Sequence, residues 1–246
     1  MTVTWEELGW ERLAEGVGRC RLPVWDCTVG LVVGAGSAVL VDAGSSLAEG
    51  ARLREQAEAI AGCRVRFLAL THPHFDHVFG AAAFADATVL AAAGADADAV
   101  AGDAFGDGRE EMRADAVRNG LDATAAREAA DALVRPHRGV RGRLSLEPAG
   151  GPRVVLADVG PGHSARDLAV VVPGDPAVVF CGDLVEESGA PQAGPDAVPS
   201  RWPAALDRLL ALGGEDALYV PGHGAVVDAA FVRAQRDALA ERFGVS

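Results

Sequence analysis

Histidine, cysteine and clustered positive charge are all scarce in this chain of 246 residues. It has six histidines and four cysteines, so the positions of these few metal-binding side chains carry information. Cys20, Cys27, Cys63 and Cys181 are scattered with no Cys-x-x-Cys pair, which argues against a disulfide framework. Cys27, Cys63 and Cys181 lie in or beside apolar runs and read as buried free thiols, not ligands. No block of Lys or Arg is long enough to line a basic groove, and the net charge is −13. Phosphate contacts supply most non-specific affinity for nucleic acid, so that partner is excluded and a small-molecule substrate is favoured. No uncharged apolar run reaches the roughly 18 residues of a membrane span. The opening "MTVTWEELGWERL" is acidic where a signal peptide carries positive charge and an apolar core. The expectation is a soluble, cytoplasmic protein with no membrane partner.

Half of the residues are apolar, enough for a substantial core. "CTVGLVVG" and "SAVLVDAG" flank Gly34-Ala35-Gly36 and predict a hairpin. "SSLAEGARLREQAEAIAG" predicts a helix, with Ser46 and Glu49 as a capping box and Gly62 as its stop. "RVRFLAL" follows as a strand. Four further β runs, "PRVVLADVG", "DLAVVVPG", "AVVFCGD" and "ALYVPGHG", fill the last third. A helix starting near Pro203 separates the last two, and another runs from Asp228 to about Arg242. The stretch from Ala91 to Gly151 is rich in alanine and acid, with few β signals and a helix expected at about Thr124 to Val134. It reads as a helical insertion within one domain spanning 1–246, because it lacks the bulky residues of a separate core. Strands followed by amphipathic helices at both ends predict an α/β fold of stacked sheets with outer helices.

"THPHFDHVFG" (Thr71 to Gly80) holds half of the histidines, and it begins where a strand stops. His72 and His74 alternate with Pro73 and Phe75, so both imidazoles can face one point, while Asp76 and His77 can face a second. Imidazole and carboxylate suit Zn²⁺, Fe²⁺ or Mn²⁺ and need no thiolate. His163 in "VGPGHSARD", Asp183 in "FCGDLVE" and His223 in "VPGHGAV" each lie just past an apolar β run, on glycine-rich connections. Five of six histidines at β-run ends point to one shared site.

With "VDAG" (Val41 to Gly44), these motifs resemble the metallo-β-lactamase-fold hydrolase superfamily, in order and over nearly the whole chain. The resemblance implies a four-layer αββα sandwich with two mixed sheets and a metal site on one edge. It implies that His72, His74 and His163 bind one metal, that Asp76, His77 and His223 bind the other, and that Asp183 bridges them. Asp42 matches a position that orients the histidine loop. Two Zn²⁺ (or Fe or Mn) would then hold a bridging hydroxide, oriented by Asp76, for attack on an ester, thioester, lactone or amide. Ser164 reads as a loop hydrogen bonder, since no separate nucleophile is required.

Only 23 residues follow His223, too few for the glutathione-binding helical domain of glyoxalase II-like thioesterases. A true zinc β-lactamase is less favoured without an export signal. A mononuclear iron persulfide dioxygenase is the alternative from another reaction class, and a non-catalytic metal-binding module is a third. Specificity is expected in the 91–151 insertion, acting as a lid. Its Arg135, His137 and Arg138 are candidates for meeting an anionic group. Trp202 and the Glu186-Glu187 pair are further candidates beside the site.

Overall fold

Two of the apolar runs alternate between two hydrophobic surfaces, so both faces of their sheets are covered. In β4 (Ala38–Val41), Ala38 and Leu40 join one core while Val39 and Val41 join another. In β10 (Leu168–Val172), Leu168, Val170 and Val172 face the second core, and Ala169 and Val171 face a third. Three cores demand four layers, and a computed structural model describing residues 3–93 and 108–245 shows them.

The first sheet has seven strands in chain order: β1 (Glu11–Ala14), β2 (Val17–Arg21), β3 (Thr28–Val33), β4, β5 (Val65–Ala69), β6 (Thr88–Ala92) and β7 (Arg138–Val140). Pairing is antiparallel from β1 to β4 and parallel from β4 to β7. The second sheet is ordered β12 (Leu218–His223), β11 (Val178–Glu186), β10, β9 (Val154–Asp158), β8 (Arg143–Leu146), with only β11 and β12 parallel. The predicted hairpin is β3–β4.

The outer helices are α1 (Leu47–Ala61), α3 (Arg109–Arg118) and α4 (Ala123–Asp131) on the first sheet, and α5 (Trp202–Gly213) and α6 (Ala229–Phe243) on the second. A single helical turn, α2 (Phe75–Val78), follows β5. Ser46 caps α1 by accepting from the Glu49 N–H, and Gly62 ends it at φ 63°. The Glu49 carboxylate reaches Ser45 instead of closing the expected reciprocal box on Ser46. Asp228 caps α6. Among the described residues no helix is long and apolar enough to cross a membrane.

The reading of 91–151 as a helical insertion with few strands needs correction. It contains β7 and β8, the edge strands of the two sheets, and here the chain passes from one sheet to the other. These strands are three and four residues long, too short for a period-two pattern to stand out. Its helices α3 and α4 bury Met112, Ala116, Ala126, Ala129 and Ala130 in the first core, so they form part of the outer layer, with α3 packed against α2, the turn that carries Asp76 and His77. Residues 94–107 of that stretch lie outside the described residues.

Candidate metal centre

Chain ends of both sheets converge on one edge. Asp42 directly follows β4, and Thr71 and His72 come two and three residues after β5. His74 caps α2, which carries Asp76 and His77. His163 lies on the β9–β10 connection, and His223 is the last residue of β12. Asp183 lies inside β11, not past its end, where the pairing to β12 slips on both sides of Gly182. Gly182 has φ 54°, and a Cβ there would come within 2.8 Å of Thr71 Cβ, so glycine is needed for the two sheet edges to approach. The slip also separates Cys181 from Asp183: Cys181 is buried in the outer core of the second sheet, and burial pushes its thiol pKa up.

The structure brings all seven expected ligand residues together, and Asp42 beside them. His72, His74, His163 and Asp183 form one group able to hold an ion; His77, Asp183 and His223 form an adjoining one, so Asp183 is common to both. Asp76 borders the second group, with Oδ2 3.3 Å from His223 Nε2 and 3.5 Å from His77 Nε2. Asp183 lies 3.6 Å from both His72 and His163 Nε2, 3.3 Å from His223 Nε2 and 3.1 Å from His77 Nε2.

Each of the five histidines has one ring nitrogen held from outside. Asp42 Oδ2 lies 2.9 Å from His77 Nδ1, and Thr71 Oγ1 lies 3.0 Å from His72 Nδ1. The Trp25 carbonyl holds His223 Nδ1 at 2.6 Å, and the Gln192 carbonyl holds His163 Nδ1 at 3.1 Å. His74 is the exception in orientation: Asp196 holds its Nε2 at 3.1 Å, and its Nδ1 faces His163. Carbonyls and carboxylates accept, and the Thr71 hydroxyl accepts too because its proton goes to Asp42 Oδ2, so these partners fix the proton on the outer nitrogen and turn a lone pair inward. The inward atoms are therefore Nε2 of His72, His77, His163 and His223, and Nδ1 of His74.

Two buried polar atoms at the centre, His72 Nε2 and Asp183 Oδ1, make no well-directed hydrogen bond, although His77 Nε2 approaches Asp183 Oδ1 to 3.1 Å. Leaving such atoms unpaired costs on the order of 1–3 kcal/mol each, a cost that a bound cation removes. The inward lone pairs and these two orphans fit a divalent cation. Without an ion, protons carry the compensating charge. Burial opposes charging of His223, but Asp183 and Asp76 outweigh it and push its pKa up to about 12. His77 is also held well above the usual range, against burial, by Cys27, Asp183, Asp76 and Asp42. Burial holds His163 down to about 4 and His72 well below its usual value. Asp183 stays far below the carboxylate range, since His77, His72 and His223 overcome its burial.

Glu186 and Ser164 lie where the sequence places them, whereas Trp202, His137 and Arg138 have other partners. Trp202 is fully buried, donates from Nε1 to the Leu184 carbonyl and packs edge-on against the His163 ring. It supports a histidine and cannot touch a substrate. His137 and Arg138 lie outside the centre: His137 Nδ1 accepts from the Val89 N–H on the sheet's outer edge, and Arg138 pairs with Leu90. Arg135 is an exposed residue just before them. Glu186 lies opposite His223 in the strand register, beside the site. Ser164 donates to Asp167 and makes no contact with a ligand nitrogen, as a loop residue should.

Asp196, Gln192 and Trp25 were not legible as site residues. Two of them act through backbone carbonyls, which any residue supplies, and Asp196 is one of many loop acids. Cys27 Sγ lies 3.5 Å from His77 Nδ1 and 3.8 Å from Nε2, closer to the outward nitrogen. Cys27, Asp76 and His77 also form a group close enough to hold an ion, but Sγ sits nearer the outward Nδ1, so the contact reads as packing on the ring.

Comparison with known proteins bears on the fold and the family. Solved structures with the same fold include the metallo-β-lactamase FIM-1 from Pseudomonas aeruginosa in its mono-zinc form, at 21% identity and TM-score 0.68, covering 96% of each chain. A metallo-β-lactamase from Erythrobacter litoralis, with β-mercaptoethanol in its active site, gives 18% and 0.68 over 95% of this chain and 96% of that one. One from Hirschia baltica gives 16% and 0.65 over 94% and 96%. No curated protein matches the chain. The model of one family matches residues 22–223, most of the sequence, and the chain belongs to that family, the metallo-β-lactamase superfamily.

Proposed function

We propose that the centre binds two divalent metal ions, zinc above all, and hydrolyses an ester, thioester, lactone or amide bond of a small molecule. The observation that carries this reading is the set of five histidines, each with one nitrogen held from outside and the other turned inward around Asp183. His72, His74 and His163 hold the first ion; Asp76, His77 and His223 hold the second; Asp183 reaches both. Bound there, the ions supply Lewis acidity toward the scissile carbonyl and acidify water toward neutrality.

The protein's part is positioning and proton handling. Asp76, on the same helical turn as His77, accepts a hydrogen bond from the attacking water and fixes its direction. It then holds the released proton for return to the leaving group. Asp42, at φ 63°, keeps His77 in one tautomer while binding the Thr71 backbone N–H and hydroxyl at 2.8 Å each. The strained backbone at Asp42 is thus secured by three contacts on the ligand loop.

Elemental analysis of protein purified without a metal-affinity step, with esterase and thioesterase screening of the same sample, tests the proposal. About two zinc per chain with turnover supports it. One iron with oxygen consumption overturns it. A His74→Ala variant that keeps full metal content and full hydrolysis overturns the ligand assignment.

A further inference from the structure

Three carboxylates outside the ligand set adjoin the centre. Glu186 ends β11 opposite His223, and its carboxylate is tied to Ser188. Glu187 is exposed and accepts from the Ala225 N–H at 2.6 Å, on the loop that begins with His223. Asp196 is two-fifths exposed at its side chain and touches His74. The chain has no lysine, all 22 of its basic residues being arginine. Of the arginines described near this edge, Arg201 at the start of α5 is exposed and makes no side-chain hydrogen bond or ion pair among the described residues, while three others are engaged. Arg21 makes a two-point bond to Asp26 at 2.7 and 2.5 Å. Arg19 binds Glu11 and the Gly224 carbonyl, and Arg242 binds the Pro191 carbonyl. Arg135, His137 and Arg138, the residues suited by sequence to an anionic group, precede or form the outer edge strand instead. The centre itself is a ligand site by an independent sign, the buried and unpartnered His72 Nε2.

We infer that this centre selects substrates with no carboxylate near the scissile bond and favours a cationic group there, facing Glu186, Glu187 and Asp196. This rests on the proposed hydrolytic centre and narrows its substrate class. Beyond the metal ions, whose charge every substrate meets, an anionic acyl compound faces three carboxylates and only the exposed Arg201, whereas an ammonium-bearing ester or lactone meets complementary charge. β-Lactam antibiotics carry a ring carboxylate and fall on the disfavoured side.

Metal-binding thiols of unlike charge report this without requiring turnover. Protein loaded with Co²⁺ is titrated with cysteamine, 2-mercaptoethanol and mercaptoacetate, and affinity is read from the visible spectrum. The expected order is cysteamine, then 2-mercaptoethanol, then mercaptoacetate. Thiols differ in intrinsic acidity, so the deciding quantity is how the cysteamine-to-mercaptoacetate ratio responds. It should fall several-fold between about 0.01 M and about 0.5 M salt, because exposed charges are screened. It should also fall in Glu187→Gln, where loss of fold or metal would weaken all three thiols together. A ratio unmoved by salt and by Glu187→Gln overturns the inference. So does a preference for mercaptoacetate, and its loss in Arg201→Gln would assign anion binding to the start of α5. A parallel series of nitrophenyl esters with ammonium, neutral and carboxylate acyl ends separates the two readings. No hydrolysis of any ester refutes the hydrolase, while hydrolysis of all three at equal rates refutes only the charge selection.

Discussion

His74 Nε2 lies 3.1 Å from Asp196, a residue 122 positions later on an exposed loop. The same loop supplies the Gln192 carbonyl that holds His163. Two of three histidines in the first group thus depend on one surface segment, whereas His77 in the second group depends on buried Asp42.

Asp196→Ala should therefore weaken the first ion selectively. Outer carboxylates on ligand imidazoles are worth about 10–100-fold in metal affinity. Competition with a chromophoric chelator should show one of two metal equivalents weakened by that factor and the other unchanged. Equal loss of both, or of neither, would contradict the geometry.

Asp42→Asn should act on the second ion. The amide can still bind the Thr71 hydroxyl, but it no longer fixes the His77 tautomer by charge. A loss of about 10–100-fold at one equivalent is expected again. The two variants should be distinguishable by whether His74 or His77 shifts in imidazole NMR spectra on metal titration.

Asp167 provides a pH dependence on the connection that carries His163. It is 3% exposed; Ser164 donates to Oδ1 from both N–H and hydroxyl, while Oδ2 has no partner. Burial pushes its pKa up to about 7, against these hydrogen bonds. A carboxyl whose folded pKa is raised contributes stability that is fully present below its unfolded value, about 4, and is lost as pH rises through about 7. The loss runs at up to about 1.4 kcal/mol per pH unit. Thermal melts from pH 4.5 to 8 should show wild type falling relative to Asp167→Asn across that range. A constant gap between the two would remove the role assigned to this carboxyl.

Gly80→Ala should lower stability and disturb the second ion together. A Cβ on Gly80 would sit 2.0 Å from the Ala43 carbonyl oxygen and 2.8 Å from Gly50 Cα. The Gly80 N–H also bonds the Gly44 carbonyl, and the Ala43 N–H bonds the His77 carbonyl. Relieving the clash pushes the ligand turn away from α1, at an overpacking cost of about 1–3 kcal/mol or more. Denaturant melts of metal-free protein should show that loss, and metal titration a weakened second equivalent. Gly189→Ala is the comparison, since a Cβ there meets nothing within 4 Å and its φ is not positive.

The sequence by itself determined the layers and the ligand types. Alternating apolar runs such as Ala38–Val41 need cover on both faces, and that requirement is local to the run. The spacing of His72, His74, Asp76 and His77 on one strand-to-helix turn is local as well, so four candidate ligand residues could be read from ten positions. Tertiary structure decided what has no local signature. It placed Asp183 at a slip in β11, turned His74 to present Nδ1, and supplied the Trp25 and Gln192 carbonyls that hold two rings. It also made edge strands of β7 and β8, and drew Arg138 away from the centre. Such contacts join residues up to 198 positions apart, and their strength lies in geometry and burial that no window of sequence contains.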